Sequence, residues 1–458
     1  MPNQAQVRNY PMIFFELPKI KRSITFLKRS KFRNLIHQVF QKTKQKNLKI
    51  RWVPVSKQRF YATAAFVDLC LIVLILINAP APAERILTPL ISPLRHEELQ
   101  PVVISKSDKE VLGFAPYWNF DKLSNVDFDT LTTFAYFGIE VDGDGNLVKD
   151  DPGYEMFHSK KATQVFKKAQ SKGTRVSLTI TQMNNEPILT LMDNPDAQKT
   201  AIEQIVSEVK QRGISGVNVD LEYTGDPGPE YRLKFSDFVS NLTEEVHRQV
   251  PSSKVTVSVY ASAVKEPKIY DIESLAKASD GIFMMAYDFS VASSRNAIPT
   301  APLYGYKEGK YWYDISTAVE DFLKFMPSSK LILGVPYYGY NWPVYSPEIK
   351  ADTYSSWYAR GVAQTYSYIK DSLQADLEGW DDSGKVAYKA YNVDGTWRMI
   401  FFDDRKSLGI KYDFAKEKNL KGVGMWALGM DEGKSELWDL LREKFGTKEY
   451  ADKNIYEY

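Results

Sequence analysis

The stretch Ser215-Gly216-Val217-Asn218-Val219-Asp220-Leu221-Glu222 decides how this chain is read. Taken as a strand, its side chains alternate between two faces, so Asn218, Asp220 and Glu222 point one way and Val217, Val219 and Leu221 the other. Carboxylates are almost never fully buried unless paired, so two of them stacked on one face near a strand end mark a candidate site. Like charges that close raise one pKa, which keeps a carboxyl group protonated near neutral pH for general-acid work. The octet by itself leaves a second reading open, an exposed edge strand carrying solvated acids.

Outward from this octet, short apolar runs alternate with amphipathic helical segments from residue 110 onward, the signature of repeated βα units. Strand candidates are 111–117, 131–138, 175–181, 216–222, 254–260, 281–287, 330–337 and 422–427, eight runs, the count that closes a β/α barrel. Between them, Pro195 stands near a helix start and Gly213 just past its end. Phe235, Phe238, Val239, Leu242 and Val246 recur at helical spacing and read as packing residues. More than 80 residues separate the last two strand candidates, far beyond a normal βα connection. Strand-like, Tyr/Trp-rich segments at 385–391 and 396–402 place a small α+β insertion there, at about 340–415. The expected fold is therefore α/β, a (β/α)8 TIM barrel over 108–445 with an insertion between strands 7 and 8, followed by a short tail at 446–458.

The net charge of +2 hides an asymmetry, because residues 1–60 carry 15 Lys/Arg and a single acid, Glu16. The body of the chain is acidic and the tail basic. Residues 61–79, YATAAFVDLCLIVLILINA, form an apolar run of about the length one helix needs to cross a bilayer. Asp68 in that run would cost roughly 2.5–3.5 kcal/mol at the membrane centre. With basic residues before it and Pro80, Pro82 and acids after it, the run is expected to be a single transmembrane helix with a cytoplasmic N-terminus and an exported body. A cleaved signal peptide is the alternative, since Ala81-Pro82-Ala83 resembles a small-residue cleavage site. Residues 80–107 are Pro-rich and read as a semi-extended linker. No aromatic–basic interleaving supports nucleic-acid binding by the tail. A single cysteine, Cys70, excludes an internal disulfide, and four scattered histidines form no zinc or haem spacing, so no metal and no cofactor are expected. No serine sits in a nucleophile-elbow pattern, which leaves a Ser-His-Asp mechanism with little support.

SGVNVDLE resembles the D-x-x-D-x-D-x-E end of the fourth strand in glycoside hydrolase family 18, the chitinase-type barrels. Further matches fall in the right order: VLGFAPYW is similar to the first strand, TTFAYFGIEVDGDG to the second and MMAYDF to the M-x-Y-D of the sixth. GVPYYGYNW resembles strand seven and its loop, and GVGMWALG strand eight with its Trp, so the resemblance covers about residues 108–445. It implies a glycosidase whose substrate's own acetamide is the nucleophile. By resemblance, Glu222 protonates the leaving oxygen and then activates water, Asp220 steers the acetamide, and Tyr287 supports it. Trp426 would be the floor on which the sugar stacks, with Asp288, Asn218, Tyr338 and Trp118 lining the groove. The resemblance is incomplete at three places. Ser215 replaces the first Asp of the pattern, Asn218 replaces the second, and strand three lacks S-x-G-G. Asn218 removes the carboxylate that normally shares a proton with Asp220. The G-V-N-x-D-x-E form resembles a bacterial subgroup of spore-cortex and cell-wall glucosaminidases. The implied partner is an N-acetylglucosamine-containing polysaccharide, peptidoglycan or chitin-like. A lectin-like barrel without activity is the alternative, against which the presence of Glu222 counts.

Overall fold

The computed structural model describes residues 106–354 and 360–446. The basic tail, the apolar run 61–79, nearly all of the linker and residues 447–458 lie outside the described residues. Among the described residues no helix is long and apolar enough to cross a membrane.

Eight parallel strands close into a barrel. They are β1 (Glu110–Pro116), β2 (Thr133–Glu140), β3 (Arg175–Gln182), β4 (Gly216–Leu221), β5 (Lys254–Tyr260), β6 (Gly281–Met285), β7 (Leu331–Pro336) and β13 (Gly422–Trp426), which pairs back onto β1. Several strands stop short of the expected ends, so Glu222 is the first residue past β4, Tyr287 the second past β6, and Tyr117 opens the short 3-10 helix that follows β1. The ladder still reaches Glu222, whose backbone N–H donates to Gln182 O at 2.9 Å.

Helices α1 (Pro152–Phe157), α2 (Lys160–Ser171), α3 (Asn185–Asp193), α4 (Pro195–Arg212), α5 (Pro229–Gln249), α6 (Ile272–Ala278) and α7 (Ile315–Phe322) cover the outside. The boundaries of α4 follow from its caps. Asn194 accepts from the N–H groups of Asp196 and Ala197, Pro195 fills the first turn, and Gly213 leaves the helix at φ 60°. On α5 the apolar stripe Phe235, Phe238, Val239, Leu242 and Val246 is buried, as its spacing predicts.

Inside the barrel, Phe283 is fully buried and meets Phe114 edge-to-face at 4.8 Å. Gly334 and Gly424 on neighbouring strands make room for it, since a Cβ at either would come within 2.6 Å of its ring. Together with Leu112, Phe137, Met285 and Ile332, this pair plugs the cylinder between its two ends. At the N-terminal strand ends lies a cavity of about 130 Å³ lined by Glu110, Thr133, Arg175, Lys254, Asp280 and Lys421, away from the octet's carboxylates.

The long seventh connection folds as a five-stranded antiparallel sheet. Its strands are β8 (Tyr338–Val344), β9 (Val362–Thr365), β10 (Leu377–Asp381), β11 (Val386–Val393) and β12 (Thr396–Phe402), ordered β10-β11-β12-β8-β9, with α8 (Tyr366–Asp371) beside β9. Tyr340, Trp342, Met399 and Phe401 form its own core. The sheet ends at Phe402, short of the 415 that the spacing suggested. The next helix, α9 (Arg405–Glu417), packs on β13 and on α10 (Ser435–Phe445) as a barrel helix. Its Lys411 forms a fully buried ion pair with Asp403, which ties the end of β12 to α9.

Candidate active site

β4 and the residue that follows it, Glu222, set three polar side chains in layers, because alternate side chains enter the barrel. Asn218 is deepest and fully buried. Its Nδ2 donates to Thr256 Oγ1 at 3.0 Å, and its Oδ1 accepts from Ser258 Oγ at 3.0 Å. Both partners come from β5, where Thr256 lies opposite Asn218 in the ladder. One pleat higher, Asp220 is 3 % exposed, and its Oδ1 has no hydrogen-bond partner among the described residues. Burial, and then the charge of Glu222, push its pKa well above the ordinary carboxylate range.

Glu222 is half-buried at the top of this ladder. Burial raises its carboxyl as well, against the hydrogen bond from Tyr260 and the charge of Lys268, which favour the ionised form. Tyr260 O–H donates to Glu222 Oε2 at 2.5 Å. The site therefore joins two carboxyls whose pKa values are raised, that of Asp220 the more strongly, with Glu222 partly open to solvent.

The loop after β6 supplies the next groups. Burial and the charges of Asp220, Glu222 and Asp288 push the Tyr287 phenol upward, so it remains a hydrogen-bond donor. Asp288 adopts φ 58°, the left-handed region that non-glycine residues rarely enter. Although Asp288 is an exposed residue, its carboxyl turns toward the insertion, where Tyr338 O–H donates to Oδ1 and Tyr340 adds a second bond. Burial of that carboxyl outweighs both tyrosines, and its pKa is pushed up to about 6.

Aromatic rings make the opposite wall. Trp426 ends β13 and lies 4.6 Å from Phe137, 5.7 Å from Phe114 and 6.4 Å from Trp118, centroid to centroid. Trp118, on the short 3-10 helix after β1, is 48 % exposed and free to meet a ligand.

Glu222, Asp220, Tyr287, Asp288 and Trp426 thus meet at one mouth although they are distant in sequence, with Trp118 at its rim. Tyr338 reaches the same mouth but is mostly buried, its hydroxyl committed to Asp288. Asn218 sits beneath Asp220 with both ends of its amide engaged, a place of support rather than of contact with a sugar. Tyr260, Lys268 and Tyr340 were not singled out by the sequence. Tyr260 closes the fifth strand candidate, so the strand-end argument that picked Glu222 also reaches it.

The profile of glycosyl hydrolases family 18 matches residues 110–431. The chain belongs to this family. Proteins similar to it include di-N-acetylchitobiase of Rattus norvegicus, 26% identical over 60% of this chain and 78% of that protein. The putative sporulation-specific glycosylase YdhD of Bacillus subtilis is 25% identical over 70% of this chain and 68% of its own. Among solved structures, Ostrinia furnacalis Group IV chitinase in complex with allosamidin superposes with a TM-score of 0.63 at 21% identity, covering 73% of this chain and 97% of that one. The Bacillus megaterium spore cortex-lytic enzyme SleL gives 0.59 at 18% identity, covering 74% and 75%. The chain is thus a glycoside hydrolase.

Proposed function

We propose that this enzyme hydrolyses β-1,4 bonds that follow N-acetylglucosamine in peptidoglycan strands, by a retaining, substrate-assisted route with Glu222 as acid and base. The observation that carries this reading is the pair of raised carboxyls, with Asp220 Oδ1 buried and unpartnered beside a half-open Glu222. An acetamide N–H entering the well would donate to Oδ1, and Tyr287 O–H would donate to the acetamide oxygen's far lone pair. The acetamide oxygen then attacks the anomeric carbon while the bond to the glycosidic oxygen breaks, and Glu222 gives that oxygen its proton. In its ionised form Asp220 offsets the positive charge that develops on the acetamide. Water then attacks the anomeric carbon from the vacated side, losing a proton to the Glu222 carboxylate, and the acetamide is restored.

Peptidoglycan is preferred over chitin because of the G-V-N-x-D-x-E form and the similarity to the putative sporulation-specific glycosylase YdhD of Bacillus subtilis. The proposal also holds the barrel outside the cytoplasm on an anchor formed by residues 61–79, for which the apolar run and its basic flank are the support. Recovery of the protein in the soluble fraction, without cleavage, would remove the anchor from it.

The test is Glu222→Gln, assayed on purified peptidoglycan and on N-acetylglucosamine oligomers with products identified by mass. Hydrolysis is expected to fall by about 10³-fold or more, with oligomer binding by calorimetry retained. Undiminished release of reducing ends would end the assignment of Glu222.

A further inference from the structure

Tyr260 and Lys268 occupy one side of Glu222, and the backbone around them is arranged to keep them there. The Tyr260 hydroxyl holds Glu222 Oε2 at 2.5 Å, and Lys268 Nζ lies 4.8 Å from the centroid of the Tyr260 ring. Lys268 takes φ 52°, a conformation that costs a lysine energy and persists where its surroundings impose it. Those surroundings are visible. Lys268 O accepts from Arg232 Nη1 on α5 at 2.9 Å, and Tyr270 O–H, two residues on, donates to Leu221 O at 3.0 Å. The loop carrying Lys268 is thereby fastened to the last residue of β4 and to the helix that follows it.

We propose that Tyr260 and Lys268 form a positioning pair for Glu222, in which the tyrosine decides which carboxyl oxygen faces the substrate and the lysine steadies the carboxylate left after proton transfer. This rests on the reading of Glu222 as the acid. With Oε2 engaged by Tyr260, Oε1 is the oxygen left to carry the proton to the leaving group. The groups facing Glu222 are Asp220 from β4, Tyr260, Lys268 and Tyr270 from β5 and its loop, and Tyr287 and Asp288 from the loop after β6. The two aspartates, when ionised, favour the protonated form of Glu222. The Tyr260 hydrogen bond and the Lys268 charge favour the ionised form. Removing either of the latter lets the acid keep its proton to higher pH and turns the carboxyl loose.

The test is the pH profile of kcat and kcat/KM on an N-acetylglucosamine oligomer for Tyr260→Phe, Lys268→Met and Lys268→Arg, with Lys268→Gln replacing the methionine variant if that one fails to fold. In Tyr260→Phe the basic limb is expected to move up by about half to one pH unit, with kcat down roughly tenfold and KM within about twofold. Lys268→Met should move the limb the same way, and Lys268→Arg, which keeps the charge, should restore it. Lower activity with an unmoved basic limb in both Tyr260→Phe and Lys268→Met would overturn the pair. Activity retained by Glu222→Gln would instead overturn the reading of the acid, a separate and recognisable failure.

Discussion

Replacing Asp220 by Asn sets stability and catalysis against each other. The Asp220 carboxyl is 3 % exposed and one of its oxygens has no partner among the described residues, an arrangement that costs about 1–3 kcal/mol for a buried polar atom. Burial and Glu222 raise its folded-state pKa above the value in the unfolded chain. The folded protein therefore holds a proton that the unfolded chain has already released. Whatever stability this carboxyl allows is fully present below the unfolded pKa and is lost as pH rises through the folded one. An amide of the same shape never ionises, so Asp220→Asn is expected to stabilise the fold by about 1–3 kcal/mol near pH 8, a rise of several degrees in Tm, and by much less near pH 4.5. Turnover should fall by about 10²–10³-fold, because an amide cannot offset the positive charge on the acetamide. Calorimetric melting at the two pH values, beside oligomer hydrolysis, reads both effects. A Tm at about pH 8 that is unchanged or lower, with hydrolysis within about threefold of wild type, would show that Asp220 is an ordinary solvated carboxylate and refute the argument.

Further tests address the walls and the frame. Trp118→Ala removes a half-exposed ring at the rim and should raise KM about threefold to tenfold with little change in Tm, whereas Trp426→Ala should also destabilise by about 3 kcal/mol because Phe114 and Phe137 lose their neighbour. Tyr338→Phe deletes a hydrogen bond that holds the Asp288 carboxyl down, so the Asp288 titration, followed by NMR of labelled aspartate, should move above its value of about 6. Lys411→Met strands the buried Asp403 and should cost about 3–5 kcal/mol in chemical denaturation, most of it recovered by adding Asp403→Leu.

Much of this architecture is legible in the chain because the signals are local. The strand runs, the Asn194–Pro195 start and Gly213 end of α4, and the stripe on α5 each depend on a few neighbouring residues. The alternation in 217–222 likewise places Asp220 inside the barrel one pleat below Glu222. What escapes the sequence are relations across the barrel. Asn218 carries the same face as Asp220, yet its engagement with Thr256 and Ser258 depends on the register of β4 against β5. Tyr260 is visible as the end of a strand, but the direction of its hydroxyl is set by where β4 stops. The end of the insertion at Phe402 depends on α9 returning to β13, and amphipathicity alone does not say which sheet a helix covers.

The Phe114–Phe283 plug, with Gly334 and Gly424 pressed against it, makes the catalytic end of this cylinder a blind well. In the proposed mechanism the attacking water then arrives through the same opening that the departing sugar uses. On that mechanism, release of the first product and entry of the nucleophile are consecutive traffic through one doorway, where another saccharide would compete with water for the activated ring.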